Sequence, residues 1–124
     1  MRVRGNENAR VARTMLFAHR GASAESRENT LEAFRLAADL GADGVELDVH
    51  ATSDDVLIVD HDGMLDGIPM RLCTRDAVRK GAPWVPDLAD ALQTVSGIAC
   101  NIEIKNSPFP ESPLFDPEQR VARL

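Results

Sequence analysis

The stretch Val45-Glu46-Leu47-Asp48-Val49 constrains this chain more than any other. Side chains alternate along a strand, so Glu46 and Asp48 share one face while Val45, Leu47 and Val49 share the other. The apolar face asks to be buried in a core. Two like charges side by side on the other face are costly to desolvate unless something compensates them. A hard divalent cation bound by carboxylate oxygens is the simplest compensation. The competing explanation is a half-exposed strand of an antiparallel sheet whose polar face is wet.

Composition narrows the classes of function. The 124 residues suffice for one small domain, and 44% apolar with 27% charged residues is the balance of a soluble globular protein. A formal net charge of -6 argues against a nucleic-acid-binding face, and 4% aromatic residues without a tyrosine argue against a base-stacking surface. No apolar run approaches the ~20 residues of a membrane span. Met1 to Arg13 is polar and basic, without the apolar core of a secretory signal, and reads as a flexible N-terminal arm ahead of a domain over 14–124. Cys73 and Cys100 have neither zinc-type spacing nor a disulfide framework, so the compartment expected is the cytoplasm.

The order of elements supplies the geometry. Thr14 to Ala18 reads as a strand that ends at His19-Arg20-Gly21. Asn29-Thr30-Leu31-Glu32 resembles a capping box with Asn29 as N-cap, opening a helix that runs to about Leu40 on a Leu31, Phe34, Ala37 and Ala38 stripe. Gly41 caps its end, and Gly44 to Val49 is the next strand. Strand, helix, strand implies parallel pairing. Val56 to Val59 follows too soon for a parallel crossover, so it should pair antiparallel and carry His61 back along the strand of Glu46 and Asp48. Asp62 to Pro86 reads as a long glycine- and proline-punctuated loop with a short helical piece near Thr74 to Lys80. A second amphipathic helix is expected over Asp87 to Val95, and a third parallel strand over Ile98 to Ile104. On that strand Asn101, Glu103 and Lys105 share a face. A proline-rich loop and the opening turns of a helix from Glu118 complete the chain.

Polar groups therefore gather at strand ends: His19-Arg20, Glu46 and Asp48, His61-Asp62, and Glu103 with Lys105. In parallel α/β architectures function collects at the carboxyl ends of strands. Glu46, Asp48 and Glu103 supply three carboxylates for Mg²⁺ or Ca²⁺. Arg20 and Lys105 offer positive charge for a phosphate. Histidine is the residue type suited to acid and base work near neutral pH, and His19 and His61 are placed for it. Each residue has a plainer explanation alone: His19 bonded to backbone, His61 capping a turn with Asp62, Arg20 solvated, and Lys105 paired with Glu103. His50 is read as structural or solvated, past the rim of the sheet. The convergence is what the plainer explanations fail to cover. The inventory is that of metal-assisted phosphoester cleavage.

These runs resemble the glycerophosphodiester phosphodiesterase family. The resemblance is carried by His19-Arg20-Gly21, Glu28-Asn29-Thr30-Leu31-Glu32-Ala33-Phe34, Gly41 to Val49, Val59-Asp60-His61-Asp62, Val85 to Leu92 and Asn101-Ile102-Glu103-Ile104-Lys105. It implies an α/β fold of TIM-type (β/α)₈ barrel class. It also implies metal-dependent hydrolysis of glycerophosphodiesters to glycerol 3-phosphate and an alcohol. By motif position, His19 and His61 would be the catalytic acid/base pair, and Arg20 and Lys105 would bind the substrate phosphate. Glu46, Asp48 and Glu103 would hold one divalent cation, Mg²⁺ or Ca²⁺. The partner implied is a small-molecule substrate, with no nucleic acid and no membrane insertion.

Three departures from the family pattern are expected to matter. Arg27 stands where the family usually has proline, which should loosen its loop without touching a catalytic group. Asp54-Asp55 replaces a more usual Asp-Gly turn. Gly67-Ile68 replaces an Arg-Thr pair and bears on the leaving group accepted. A (β/α)₈ barrel typically takes ~250 residues, so the expectation is an N-terminal part of such a domain: about three parallel barrel strands plus a β-hairpin. Two other functions compete. One is a catalytically inactive fragment or binding module of an incomplete barrel. The other is a related phospholipase of the sphingomyelinase D type, which would favour lipid-facing apolar loops; Met64, Leu65, Ile68, Met70, Leu72 and Trp84 are scattered rather than clustered.

Overall fold

The computed structural model describes residues 13–124. The expected arm lies outside the described residues except for Arg13, whose guanidinium pairs with the Asp43 carboxylate.

The stretch around Glu46 and Asp48 is the centre of a four-stranded sheet. It forms β2, Gly44–Ala51, longer by two residues than expected. Strand β1, Phe17–His19, lies parallel to its first half, with His19 opposite Glu46. Strand β3, Leu57–Val59, lies antiparallel to its last residues, with Val59 opposite Val49. Strand β6, Ala99–Ile104, runs parallel to β2 from Gly44 to Val49, with Asp48 opposite Glu103. The parallel crossovers and the antiparallel hairpin are those expected from connection lengths.

Alternation sorts the two faces of β2 as its sequence requires. Val45, Leu47 and Val49, with Val59 of β3, form the main core against Phe34 and Ala37 of α1, Leu31–Asp39, and Ala91 of α3, Leu88–Thr94. Phe34, Val45 and Leu47 are wholly buried, each stabilising the fold by about 1.5–3 kcal/mol through removal of apolar surface from water. The helix faces differ slightly from the expected stripes. Ala33 is buried in α1, and Leu92 of α3 is exposed.

The start of α1 corrects an expectation. Thr30, not Asn29, is the N-cap: its extended backbone lets Oγ1 accept from the Ala33 amide at 3.2 Å. Asn29 sits one residue earlier at φ 56° and turns its side chain into the sheet. Serine, threonine, asparagine and aspartate all cap well, so adjacent Asn-Thr leaves the choice to tertiary contacts.

The segment 62–86 is a packed substructure, which corrects its reading as a mostly irregular loop. Strands β4, Met64–Leu65, and β5, Ile68–Pro69, form a small hairpin. Its turn is Asp66-Gly67, with φ of 48° and 79°. Asp-Gly between apolar residues is a strong hairpin signal, and it was legible in Leu65-Asp66-Gly67-Ile68. Gly67 thus completes the turn, and Ile68 opens β5. A 3-10 turn, Met70–Leu72, and α2, Arg75–Gly81, follow. Met70, Cys73, Val78, Ala82 and Val85 form a second core over Ile58, on the face of β3 opposite Val59. Arg75 ties this unit together: its guanidinium pairs with Asp87 and donates to the Val85 carbonyl, while its amide donates to Asp54 Oδ1 at 2.8 Å.

The last helix, α4, is the short Arg120–Arg123. Arg120 donates to the Thr52 carbonyl at 2.6 Å and pairs with Asp55, fastening this end of the chain to the β2–β3 turn. Asp55 holds φ 62°, so Asp54-Asp55 makes the turn that Asp-Gly would make, and its carboxylate gains a partner. No helix among the described residues is long and apolar enough to cross a membrane.

Candidate active site

The site is built on the polar face of β2. Glu46, Asp48 and Glu103 offer carboxylate oxygens that lie within 4.8 Å of one another. The pairing of β2 with β6 in parallel register puts Asp48 beside Glu103, and Glu46 follows two residues earlier on the same face. Asp48 is wholly buried, Glu46 is half-buried and Glu103 is exposed.

Two cations and an amide attend Asp48. Asn29 Nδ2 donates to Oδ2 at 2.9 Å, Lys105 Nζ lies 3.2 Å from Oδ1, and Arg20 Nε lies 3.6 Å from Oδ2. The lysine makes an ion pair there; it is off the hydrogen-bond direction of Oδ1, which has no hydrogen-bond partner. Burial pushes the Asp48 carboxyl up, but the Asn29 hydrogen bond and Lys105 outweigh it and hold the group below its usual range. Glu46 goes the other way. Burial and the neighbouring Asp48 raise it, since two carboxylates resist ionising together. Lys105 also reaches Glu103 at 2.9 Å; burial lowers its pKa, and the hydrogen bond to Glu103 with the charge of Asp48 more than restores it.

The histidines flank this cluster. His19 ends β1 with Nε2 3.7 Å from Glu46 Oε2, its ring largely exposed. Arg20 follows at φ 60°, its amide on the Glu46 carbonyl at 2.9 Å and its Nη1 on Glu28 at 2.7 Å. The Glu28 hydrogen bond is the main reason the guanidinium is held more firmly protonated than usual. His61 lies two residues past β3; the Asp60 amide donates to the Asp48 carbonyl at 3.0 Å and brings the turn onto the site. His61 Nδ1 is 2.8 Å from Asp62 Oδ1. A carboxylate only accepts, so Nδ1 carries the proton in the neutral ring and Nε2 is the ring's acceptor.

All seven sequence-predicted residues therefore reach one end of the sheet. His50 lies within β2 and not past the rim of the sheet, which corrects that expectation. It is buried, with Nε2 3.3 Å from the His61 carbonyl, and burial lowers its pKa. Gly63 packs against it so closely that a Cβ there would meet the His50 ring at 2.4 Å. His50 thus shapes the turn that presents His61. Asn29 was missed as a site residue because its capping role was the visible signal.

Gly21, the third residue of His19-Arg20-Gly21, is needed for two reasons. It holds φ 81°, and a Cβ would meet the Ala33 carbonyl carbon at 2.7 Å. Gly21→Ala is expected to destabilise the chain by about 2–5 kcal/mol, the sum of overpacking and a left-handed alanine. Denaturant unfolding checks this; an unchanged midpoint would mean that the His19-Arg20 turn is not clamped against α1.

The β/α order, the parallel sheet and the acidic cluster at one end of its strands define a portion of a TIM-type (β/α)₈ barrel. Residues 19–123 match the sequence model of the glycerophosphoryl diester phosphodiesterase family, and the chain belongs to that family. It is 37% identical over 115 residues to a glycerophosphodiester phosphodiesterase of Bacillus altitudinis, an alignment covering 77% of this chain and 47% of that protein. The crystal structure of a glycerophosphodiester phosphodiesterase from Thermotoga maritima superposes with a TM-score of 0.68 at 36% identity, covering 77% of this chain and 46% of that one. An Oleispira antarctica phosphodiesterase, solved in complex with the product sn-glycerol-3-phosphate, superposes with a TM-score of 0.58 at 30% identity over 74% of this chain and 44% of that one. The chain spans less than half the length of each of these relatives.

Proposed function

We propose that this site hydrolyses glycerophosphodiesters to glycerol 3-phosphate and an alcohol, with one divalent cation and two histidines. The observation that carries the reading is the meeting of the carboxylate cluster with His19 on one side and the His61 turn on the other. Family membership, and the product bound to the Oleispira antarctica relative, support the substrate class.

The residues fit a cation. Glu46 Oε1 and Asp48 Oδ1 are buried oxygens without a hydrogen-bond partner, and an all-oxygen donor set suits Mg²⁺ or Ca²⁺. Bound by Glu46, Asp48 and Glu103, the ion would stabilise charge on the phosphoryl oxygens and acidify the attacking hydroxyl. Arg20 and Lys105 add positive charge beside Asp48, where they would orient the phosphate. Of the two histidines, one takes the proton of the attacking hydroxyl and the other protonates the leaving alkoxide. The attacking group is the glycerol 2-hydroxyl, through a cyclic phosphate that water then opens, or water directly. The two free cysteines, Cys73 buried and Cys100 half-buried, fit a reducing compartment such as the cytoplasm.

Metal dependence is tested on the chain and on any longer product of its reading frame. Mg²⁺ or Ca²⁺ at 100 times its dissociation constant should add about 2.7 kcal/mol of stability, and a chelator should remove it. Hydrolysis of glycerophosphodiesters should follow the same titration. No cation-linked rise in melting temperature, together with no cation-dependent hydrolysis, would overturn the reading. Cation binding without hydrolysis would favour the inactive or binding-module alternative.

A further inference from the structure

We propose that Arg27 and Trp84 select the alcohol of the substrate, admitting polyhydroxylated leaving groups and rejecting quaternary ammonium ones. This rests on the phosphodiesterase reading above. Arg27 was expected to loosen its loop. Instead its guanidinium carbon stands 3.9 Å from the centroid of the Trp84 ring, and its carbonyl accepts from Thr30 Oγ1, the α1 N-cap, at 2.7 Å. The loop after β1 is pinned at both ends of that residue.

The placement bears on the chemistry. Arg27 lines an open cleft of about 450 Å³ with His19, Arg20, Ser23, Ser26 and Glu28. Trp84 belongs to the segment that runs antiparallel beside β3: Ile58 bridges Asp87, and the Val59 amide donates to the Pro86 carbonyl at 3.0 Å. That direction carries Trp84 toward the His61 end of β3. The Arg27–Trp84 contact therefore joins the loop that follows His19 to the segment flanking the strand before His61.

An exposed indole face is the natural receptor for a quaternary ammonium group. Here the face is already covered by a guanidinium, and Trp84 remains 46% exposed. Trp84 does not itself line the cleft, so a choline group entering it reaches the indole only by displacing Arg27. Glu28, the carboxylate that lines the cleft, is already engaged by Arg20. Arg27 has no carboxylate partner among the described residues, so its donors, with the Ser23 and Ser26 hydroxyls, are suited to hydroxyl oxygens.

The test compares kcat/KM for glycerophosphocholine and glycerophosphoinositol in the wild type, Arg27→Ala, Arg27→Lys and Arg27→Ala/Trp84→Ala. The wild type should favour the inositol ester. Arg27→Ala should shift the ratio toward choline by about tenfold, the weight of one cation–π contact, and the double variant should lose that shift. Trp84 is the chain's single tryptophan, so its fluorescence reports the same event without turnover. Tetramethylammonium should change the emission of Arg27→Ala and leave the wild type unaltered, with Arg27→Lys between them. Hydrolysis of both esters with an unchanged ratio in Arg27→Ala would overturn this inference and leave the phosphodiesterase reading intact. Hydrolysis of neither ester by the wild type would overturn both.

Discussion

His19→Ala and His61→Ala are each expected to lower kcat on a glycerophosphodiester by about 10²–10⁴-fold, the usual contribution of a positioned acid or base. Neither change should unfold the chain. The His19 ring is 67% exposed, and the His61 ring is 36% exposed and bonded to Asp62 rather than to a core group. Stability effects should stay within about 0.5 kcal/mol, as for other changes away from buried contacts. The pH–rate profile separates the two roles. Loss of the base should flatten the acid limb, and loss of the acid should flatten the alkaline limb. Both variants retaining wild-type turnover at saturating cation would sink the two-histidine assignment.

Asp48→Ala should carry the largest stability cost in the site. The carboxylate is wholly buried and holds Asn29, Lys105 and Arg20. Breaking a buried ion pair by removing one partner costs about 3–5 kcal/mol. The low end, about 3 kcal/mol, applies here, because Lys105 keeps Glu103, Arg20 keeps Glu28, and both cations reach solvent. The cost should depend on pH with a definite sign. The folded Asp48 pKa lies below its unfolded value, so its contribution is present above about pH 4 and is lost as pH falls through the folded value. Glu46 has the opposite sign. Its folded pKa is raised, so its contribution is present below the unfolded value and is lost as pH rises through the folded one. The cation-free chain should therefore weaken as Glu46 ionises, and added Mg²⁺ or Ca²⁺ should recover the loss. Urea midpoints of wild type and Asp48→Ala, measured from acid to neutral pH, report both effects. A penalty for Asp48→Ala that is unchanged at the acid end would mean that packing, and not charge, holds Asp48.

The glutamate and aspartate of β2 show how much of the site could be read early. Strand alternation alone put them on one face, and the short connection to Val56 alone required the hairpin that returns His61. The parallel partner carrying Glu103 followed from the strand–helix–strand order. Asn29 could not be read this way, because two good capping residues stand side by side and only contact with Asp48, nineteen residues on, separates them. His50 shares the face of Asp48, yet its burial depends on Gly63 and the His61 turn closing over it.

What the sequence determined by itself was periodic and local: which face of β2 is apolar, where helices begin within two residues, which connection must be a hairpin, and which residue types gather at strand ends. These are set by backbone geometry and by connection length, and both are written in consecutive residues. What only the tertiary structure decided was the company each group keeps. Arg27 meets Trp84, Arg75 meets Asp87, and Arg120 meets Asp55, across separations that no local pattern encodes. The shifts of Glu46 and Asp48 in opposite directions belong there too. Two carboxylates two residues apart on one strand are alike in sequence; burial and the reach of Asn29 and Lys105 make them different acids.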